Sequence, residues 1–337
     1  MIMHVLRMTN AKRDVVKYCL IGLSGLSIFF AGWFTQQFFQ APVDSSVPQR
    51  LHGYKYISPL IACDVASNQQ ALELQPFKKI IQKTVSDHIK SGDITQAGVY
   101  VRELNSGHWV GYNENSSFWP ASLMKVPAMI SVLKKIEESP EILKSKISYK
   151  NNFDENNREH FKSTEVAQAG RAYSVEELLG FMIRNSDNNS VIMLAQFFSK
   201  DQMTDVFYDT GVKLPNEEGQ TEDYMSVKTY SYFFRLLFNA SYLDRHLSEY
   251  ALNLLSQTDF KEGIARGVPA TIDVAHKFGE VDRGSEKQLH DCGIIYFPNH
   301  PYLLCVMTRA SDFEGAKKTI GDISSAVYGQ AREVFKN

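Results

Sequence analysis

Segments of strand character stand at both ends of residues 71–337, and nearly everything between them reads as helix. Few folds satisfy that order. Ala97 to Leu104 and His108 to Tyr112 alternate across Asn105-Ser106-Gly107, the pattern of a hairpin. Three further strands are expected at 271–277, 291–297 and 302–308. Gln75 to Ile89 is an amphipathic helix with Pro76 at its start and Phe77, Ile81, Val85 and Ile89 on one face. Ser311 with Glu314 is expected to cap a last helix, whose buried stripe runs through Phe313, Ala316, Ile320, Ile323 and Val327. Strands from both ends imply an α+β fold, an α/β sandwich: one five-stranded antiparallel sheet flanked by helices, with an all-α subdomain of about 113–262 inserted into it. A site is expected in the cleft between the two. Residues 150–172, rich in Asn, Glu, Lys and Arg, read as a solvated connector without chemistry.

Three short motifs follow one another along this frame. Ser-x-x-Lys occurs twice, at Ser122 to Lys125 and at Ser131 to Lys134. Pro120 and Ala121 precede Ser122 and an apolar run follows it, so Ser122 stands at a helix start. Backbone N–H groups there lack intrahelical partners and can donate to a developing oxyanion. The three-residue step puts Lys125 on the same helix face as Ser122. Ser131 lies deep in the same helix. The plain alternative for Ser122 is an N-cap serine. Downstream, Ser174 with Glu177 makes a capping box, Leu178, Leu179, Met182 and Ile183 form a stripe, and Ser186-Asp187-Asn188-Asn189 breaks the helix before a second apolar one. These residues too serve as caps; in a catalytic reading Ser186 relays a proton to a leaving nitrogen and Asn188 holds substrate and Lys125. Lys277-Phe278-Gly279-Glu280 is expected to end the 271–277 strand, with Gly279 permitting close approach of a substrate backbone and the Glu280 N–H serving as a second oxyanion donor.

Together these motifs resemble the penicillin-recognising serine hydrolases, most closely the class A β-lactamases, over roughly Leu72 to Asn337. The resemblance implies that Ser122 is acylated, that Lys125 is its activating amine, that Ser186 belongs to the proton relay, and that Asn188 and Lys277-Phe278-Gly279-Glu280 bind substrate. No cofactor and no metal is implied. Two departures stand out. The family has threonine where this chain has Phe278, which removes a hydroxyl that would bind the substrate carboxylate. Class A enzymes also carry a deacylating glutamate in the loop that corresponds to 211–225. Here that loop is short, and Glu217, Glu218 and Glu222 lack the family's setting.

Residues 18–43 contain no Asp, Glu, Lys or Arg, and Cys19 to Phe34 is mostly apolar. About 20 such residues cross a bilayer. Arg7, Lys12, Arg13 and Lys17 precede them, so a signal anchor over 18–40 is expected, with tail 1–17 in the cytoplasm, linker 41–70, and the hydrolase domain 71–337 outside. A cleaved signal peptide is the rival reading, against which stand the long basic segment and the lack of an Ala-x-Ala site. The net charge of -2 carries no nucleic-acid signature, nine scattered histidines carry no zinc spacing, and a monomer is expected. Four cysteines exclude a disulfide scaffold. Cys63 reads as a packing residue, and counting back from Pro298-Asn299-His300-Pro301 pairs Cys305 with Ile294, which argues against a Cys292–Cys305 bridge.

Three functions follow from these readings: a serine β-lactamase with slow deacylation, a cell-wall D-alanyl-D-alanine peptidase or transpeptidase acting on peptidoglycan stem peptides, and a non-catalytic sensor of muropeptides or β-lactams.

Overall fold

The computed structural model describes residues 50–59, 74–149, 154–214 and 223–335, all within the unit Pro48–Asn337. The expected membrane span, Cys19, Cys63 and the loop glutamates Glu217, Glu218 and Glu222 lie outside the described residues. Among those described, no helix is long and apolar enough to cross a membrane.

Five strands form one antiparallel sheet: β1 Gln96–Glu103, β2 Trp109–Tyr112, β3 Val274–Asp282, β4 Lys287–Ile295 and β5 Tyr302–Ala310. Their order is β2-β1-β5-β4-β3, so the N-terminal hairpin joins the C-terminal strands through the β1–β5 pairing. Helices α1 (Gln75–Ser91) and α8 (Phe313–Val334) cover one face. Against the other lie α2 (Lys125–Glu138), α3 (Val175–Arg184), α4 (Asn188–Phe197), α5 (Lys200–Thr210), α6 (Val227–Phe238) and α7 (Arg245–Ser256).

The period of two along β5 divides the core. Leu303, Cys305 and Met307 pack with the middle helices, while Tyr302, Leu304 and Val306 pack with α1 and α8. Both clusters are almost free of solvent, which explains why β5 is apolar on both faces. The Ser174–Glu177 capping box is present at α3, whereas the last helix is capped by Asp312, which accepts from Gly315 N at 2.7 Å, rather than by Ser311. Within the expected linker, Arg50 donates to Ser58 O, Leu104 O and Asn239 Oδ1, so this part of the chain is fastened to the folded unit.

Two expectations are corrected. The strand carrying Lys277 does not end there; it runs to Asp282, and its hairpin closes through Arg283 N to Glu286 O at 2.9 Å with Gly284 at φ 76°. Lys277 is therefore in mid-strand, because Glu280 and Val281 continue the β-rich run. The second concerns the cysteines. The β4–β5 turn is Phe297–His300, closed by His300 N to Phe297 O at 3.1 Å, with Asn299 at φ 60°. Pro298 and Asn299 are its central pair, as turn chemistry favours. Centring it one residue earlier than expected moves the register by two. Cys292 then faces Cys305 directly, and a disulfide joins them.

Candidate active site

Ser122 is in a short 3₁₀ turn, Ala121–Met124, that runs straight into α2. Ala121 has φ 50°, a left-handed conformation in which a non-glycine residue costs about 1 kcal/mol or more. The surroundings hold it there. Trp119 N donates to Gln288 Oε1, and His290 Nε2 donates to Trp119 O at 2.9 Å while Nδ1 accepts from Thr308 N. Burial lowers His290 to about 4, so near neutral pH the ring is uncharged and carries one donor and one acceptor, as these partners require. Tyr230 Oη donates to Leu123 O at 2.8 Å. Gly279 presses from the sheet: a Cβ there would come 2.7 Å from Pro120 O and 2.9 Å from Leu123 N. The glycine is required here for contact within the chain, which the sequence did not suggest.

Lys125 reaches the second motif rather than the first. Its Nζ donates to Ser186 O at 2.6 Å, to Asn188 Oδ1 at 2.6 Å and to Ser186 Oγ at 3.2 Å. The Ser122 hydroxyl has no hydrogen bond among the described residues. Lys125 is almost wholly buried, and burial lowers its pKa to about 8 against the attraction of Glu159, Asp187 and Glu280. Ser186 has φ 58°, which turns its side chain back between the two lysines. Lys277 Nζ donates to the same Ser186 Oγ at 2.8 Å and to Phe278 O at 2.9 Å. Lys277 is fully buried with no carboxylate partner among the described residues, and burial followed by repulsion from Lys125 holds its pKa well below the usual lysine range. With both lysines donating to its oxygen, the Ser186 hydroxyl keeps its own proton for another acceptor.

Asp187, read in the sequence only as a helix cap, fixes this turn. Its buried carboxylate caps α4 through Asn189 N and Ser190 N and also accepts from Asn156 Nδ2 at 2.7 Å and Ala167 N at 3.1 Å. Ser131, the other Ser-x-x-Lys serine, is buried in α2 and accepts from Val206 N.

Ser122, Lys125, Asn188 and Glu280 line one cleft of about 520 Å³, together with Trp119, Val281 and an apolar wall that includes Met124, Val191, Met203 and Phe207. Ser186, Lys277, Phe278 and Gly279 are beneath it. Phe278 does not present a face to substrate: its ring stacks on Phe260 at 4.2 Å and covers the Lys277 ammonium at 4.2 Å. The strand pleat sets Phe278 toward the α8 core, where it is 4% exposed. Glu159 also lines the cleft. It comes from the segment read as a solvated connector, which is mostly exposed but brings this one carboxylate to the cleft. Phe161, an aromatic in an otherwise charged stretch, was the available signal: it packs among Phe260, Phe278 and Phe313 and draws the segment onto the sheet edge.

A model of the beta-lactamase enzyme family matches residues 76–331. The chain belongs to that family. Among solved structures, a representative class A beta-lactamase from Bacteroides cellulosilyticus has TM-score 0.65 and 23% identity, covering 77% of this chain and 99% of its own. PBP-A has TM-score 0.63 and 18% identity, covering 76% of this chain and 96% of its own. A PBP-A point mutant solved as an acyl-enzyme with penicillin G has TM-score 0.64 and 18% identity, with 76% and 97% covered. At these identities the likeness is one of fold, and the beta-lactamase fold is what this chain shares with them. No curated protein matches it in sequence.

Proposed function

We propose that this member of the beta-lactamase family is a serine hydrolase that opens β-lactam amides through an acyl-Ser122 intermediate and releases the acyl group slowly. The observation that carries this reading is the placement of Ser122 in the cleft beside a buried Lys125 whose amine is held by Ser186 and Asn188. As an ammonium, Lys125 has three protons and three acceptors around it. As a free amine it has two protons and a lone pair, which takes the Ser122 proton. Ser122 Oγ then bonds the carbonyl carbon, with the early N–H groups of the 121–124 turn and the Glu280 N–H as donors to the oxyanion. The carbon–nitrogen bond breaks, the nitrogen takes the Ser186 hydroxyl proton, and Lys125 returns one to Ser186.

Deacylation needs an activated water, and in the sequence Glu217, Glu218 and Glu222 of the 211–225 loop lack the setting the family uses for it. The same lack supports a second reading, a D-alanyl-D-alanine peptidase or transpeptidase acting on stem peptides. The charge-free segment 18–40 supports a membrane anchor with the hydrolase outside the cytoplasm, and the Cys292–Cys305 disulfide suits such an oxidising compartment.

Incubation with a chromogenic cephalosporin, followed by intact mass, tests the proposal. A burst and a lasting adduct on Ser122 are expected. Rapid turnover without a burst would favour an efficient β-lactamase, and no adduct at all would overturn both readings.

A further inference from the structure

Glu159 and Glu280 reach the cleft from different parts of the fold, the 154–161 segment and β3, and meet there carboxyl to carboxyl. Each is held by further donors. Glu280 accepts from Phe161 N at 2.9 Å and His160 N at 3.2 Å, and Glu159 accepts from Asn188 Nδ2 at 2.7 Å. The other end of the Asn188 amide, Oδ1, takes the Lys125 proton at 2.6 Å. A carboxylate only accepts and an ammonium only donates, so the amide can face these partners in one orientation alone. The result is a path of hydrogen bonds from Glu159 through Asn188 to Lys125, with the Glu280 carboxyl beside Glu159 at its start.

The path connects two titrations. Burial, with Glu159 alongside, raises Glu280 to about 7. Two touching carboxyls share a proton more readily than they both ionise. Glu159 is also the strongest of the negative charges that favour the Lys125 ammonium, ahead of Asp187 and Glu280 itself. The remaining charged or titratable groups facing them are Lys277 of β3, His160 of the segment and Lys200 of α5.

We propose that Glu159 and Glu280 act as one positioning unit for Lys125, turning the Asn188 amide oxygen toward the amine and governing its protonation. The unit is not itself the base for Ser122. When the shared proton leaves, the second negative charge tightens the hold on the Lys125 ammonium, so the pair slows the release of free amine as pH rises. The catalytic consequence rests on the proposed role of Lys125, but the coupling does not.

The test is a pH titration of full-length protein carrying labelled lysine, following the Lys125 side chain by NMR and assigning it with Lys125→Arg, beside the pH profile of acylation. Glu159→Gln keeps an oxygen for Asn188 and removes the charge. Its Lys125 midpoint should fall by about one pH unit, the scale of one neighbouring charge. The acidic limb of acylation should move with it, and Glu159→Asp should restore both. Glu280→Gln, read in the same way, should move the midpoint in the same direction by less, and it serves if Glu159→Gln fails to fold. A midpoint that stays put in the folded variants would overturn the proposal. A midpoint that moves in a protein never acylated would uphold the pair and refute the hydrolase reading instead.

Discussion

Lys277 fastens Ser186 from the sheet side: its Nζ is 2.8 Å from the Ser186 hydroxyl, and neither residue touches solvent to any extent. Lys125 approaches the same oxygen from α2. The two amines stand on one hydroxyl, and the charge on Lys125 makes Lys277 easier to deprotonate. Replacing Lys125 by Met should remove this repulsion and let Lys277 hold its proton to higher pH. A lysine NMR titration of the variant should show the Lys277 midpoint rise. An unmoved or lowered midpoint would show that burial alone sets it.

Acylation of the parent protein should climb with pH and level off above about 8, the value to which burial lowers Lys125. The sign follows from the chemistry: the neutral amine accepts the proton, and its fraction grows as pH rises through that value. Lys125→Ala should slow acylation by roughly two to four orders of magnitude, the usual range for loss of a general base. Single-turnover rates between pH 5 and 10 would check both. A flat profile, or a loss of only a few-fold, would remove Lys125 from this role.

The two Ser-x-x-Lys serines should separate cleanly. Ser122→Ala should end covalent labelling by penicillin with the melting temperature little changed. Ser131→Ala should keep labelling per folded molecule and lose about 0.5–1.5 kcal/mol of stability, since it removes the buried hydrogen bond from Val206 N to Ser131 Oγ. Labelling and thermal unfolding on the same samples decide the matter; loss of labelling in Ser131→Ala at full stability would assign the nucleophile wrongly.

Phe278→Thr was attractive from the sequence as a restored hydroxyl. The packing reverses that expectation. The change should cost about 3–5 kcal/mol, as other large-to-small substitutions of buried aromatics do. It should also wet the Lys277 ammonium. Equal stability with tighter binding of a carboxylate-bearing β-lactam would restore the original view.

Replacing both Cys292 and Cys305 by Ser should lower stability by about 3 kcal/mol, the loop-closure estimate for a link across some 13 residues. Denaturant midpoints would measure it, and the active-site chemistry of the folded fraction should remain.

The frame of this protein was legible because its signals are local and repeated. The hairpin, the α1 stripe and the capping box at Ser174 each rest on a few neighbouring residues whose preferences agree. The order of the motifs along the chain also carried over, with Lys125, Ser186 and Lys277 converging as the family resemblance implied. What escaped notice depends on distant partners. Nothing in the neighbourhood of Glu159 announces that Glu280 waits across the cleft, and nothing beside Phe278 says that Phe260 and Phe161 will enclose it. Asp187 looked like an ordinary cap because capping is one of its tasks; the contacts to Asn156 and Ala167 appear only once the chain is folded. The disulfide was lost to a single-residue error in centring a turn, which strand pairing doubles.

Gly279 has a consequence for how this cleft could change over time. The backbone of β3 and the turn bearing Ser122 touch at that residue with room for a hydrogen and little more. Divergence toward a new substrate therefore has one rim that is closed to ordinary substitution, since any side chain at 279 would push the nucleophile's turn aside. The polar 154–161 stretch beside that rim holds its place through a few contacts that can be exchanged one at a time. New specificities in this lineage should accumulate in that stretch, with the nucleophile and the sheet carried along unchanged.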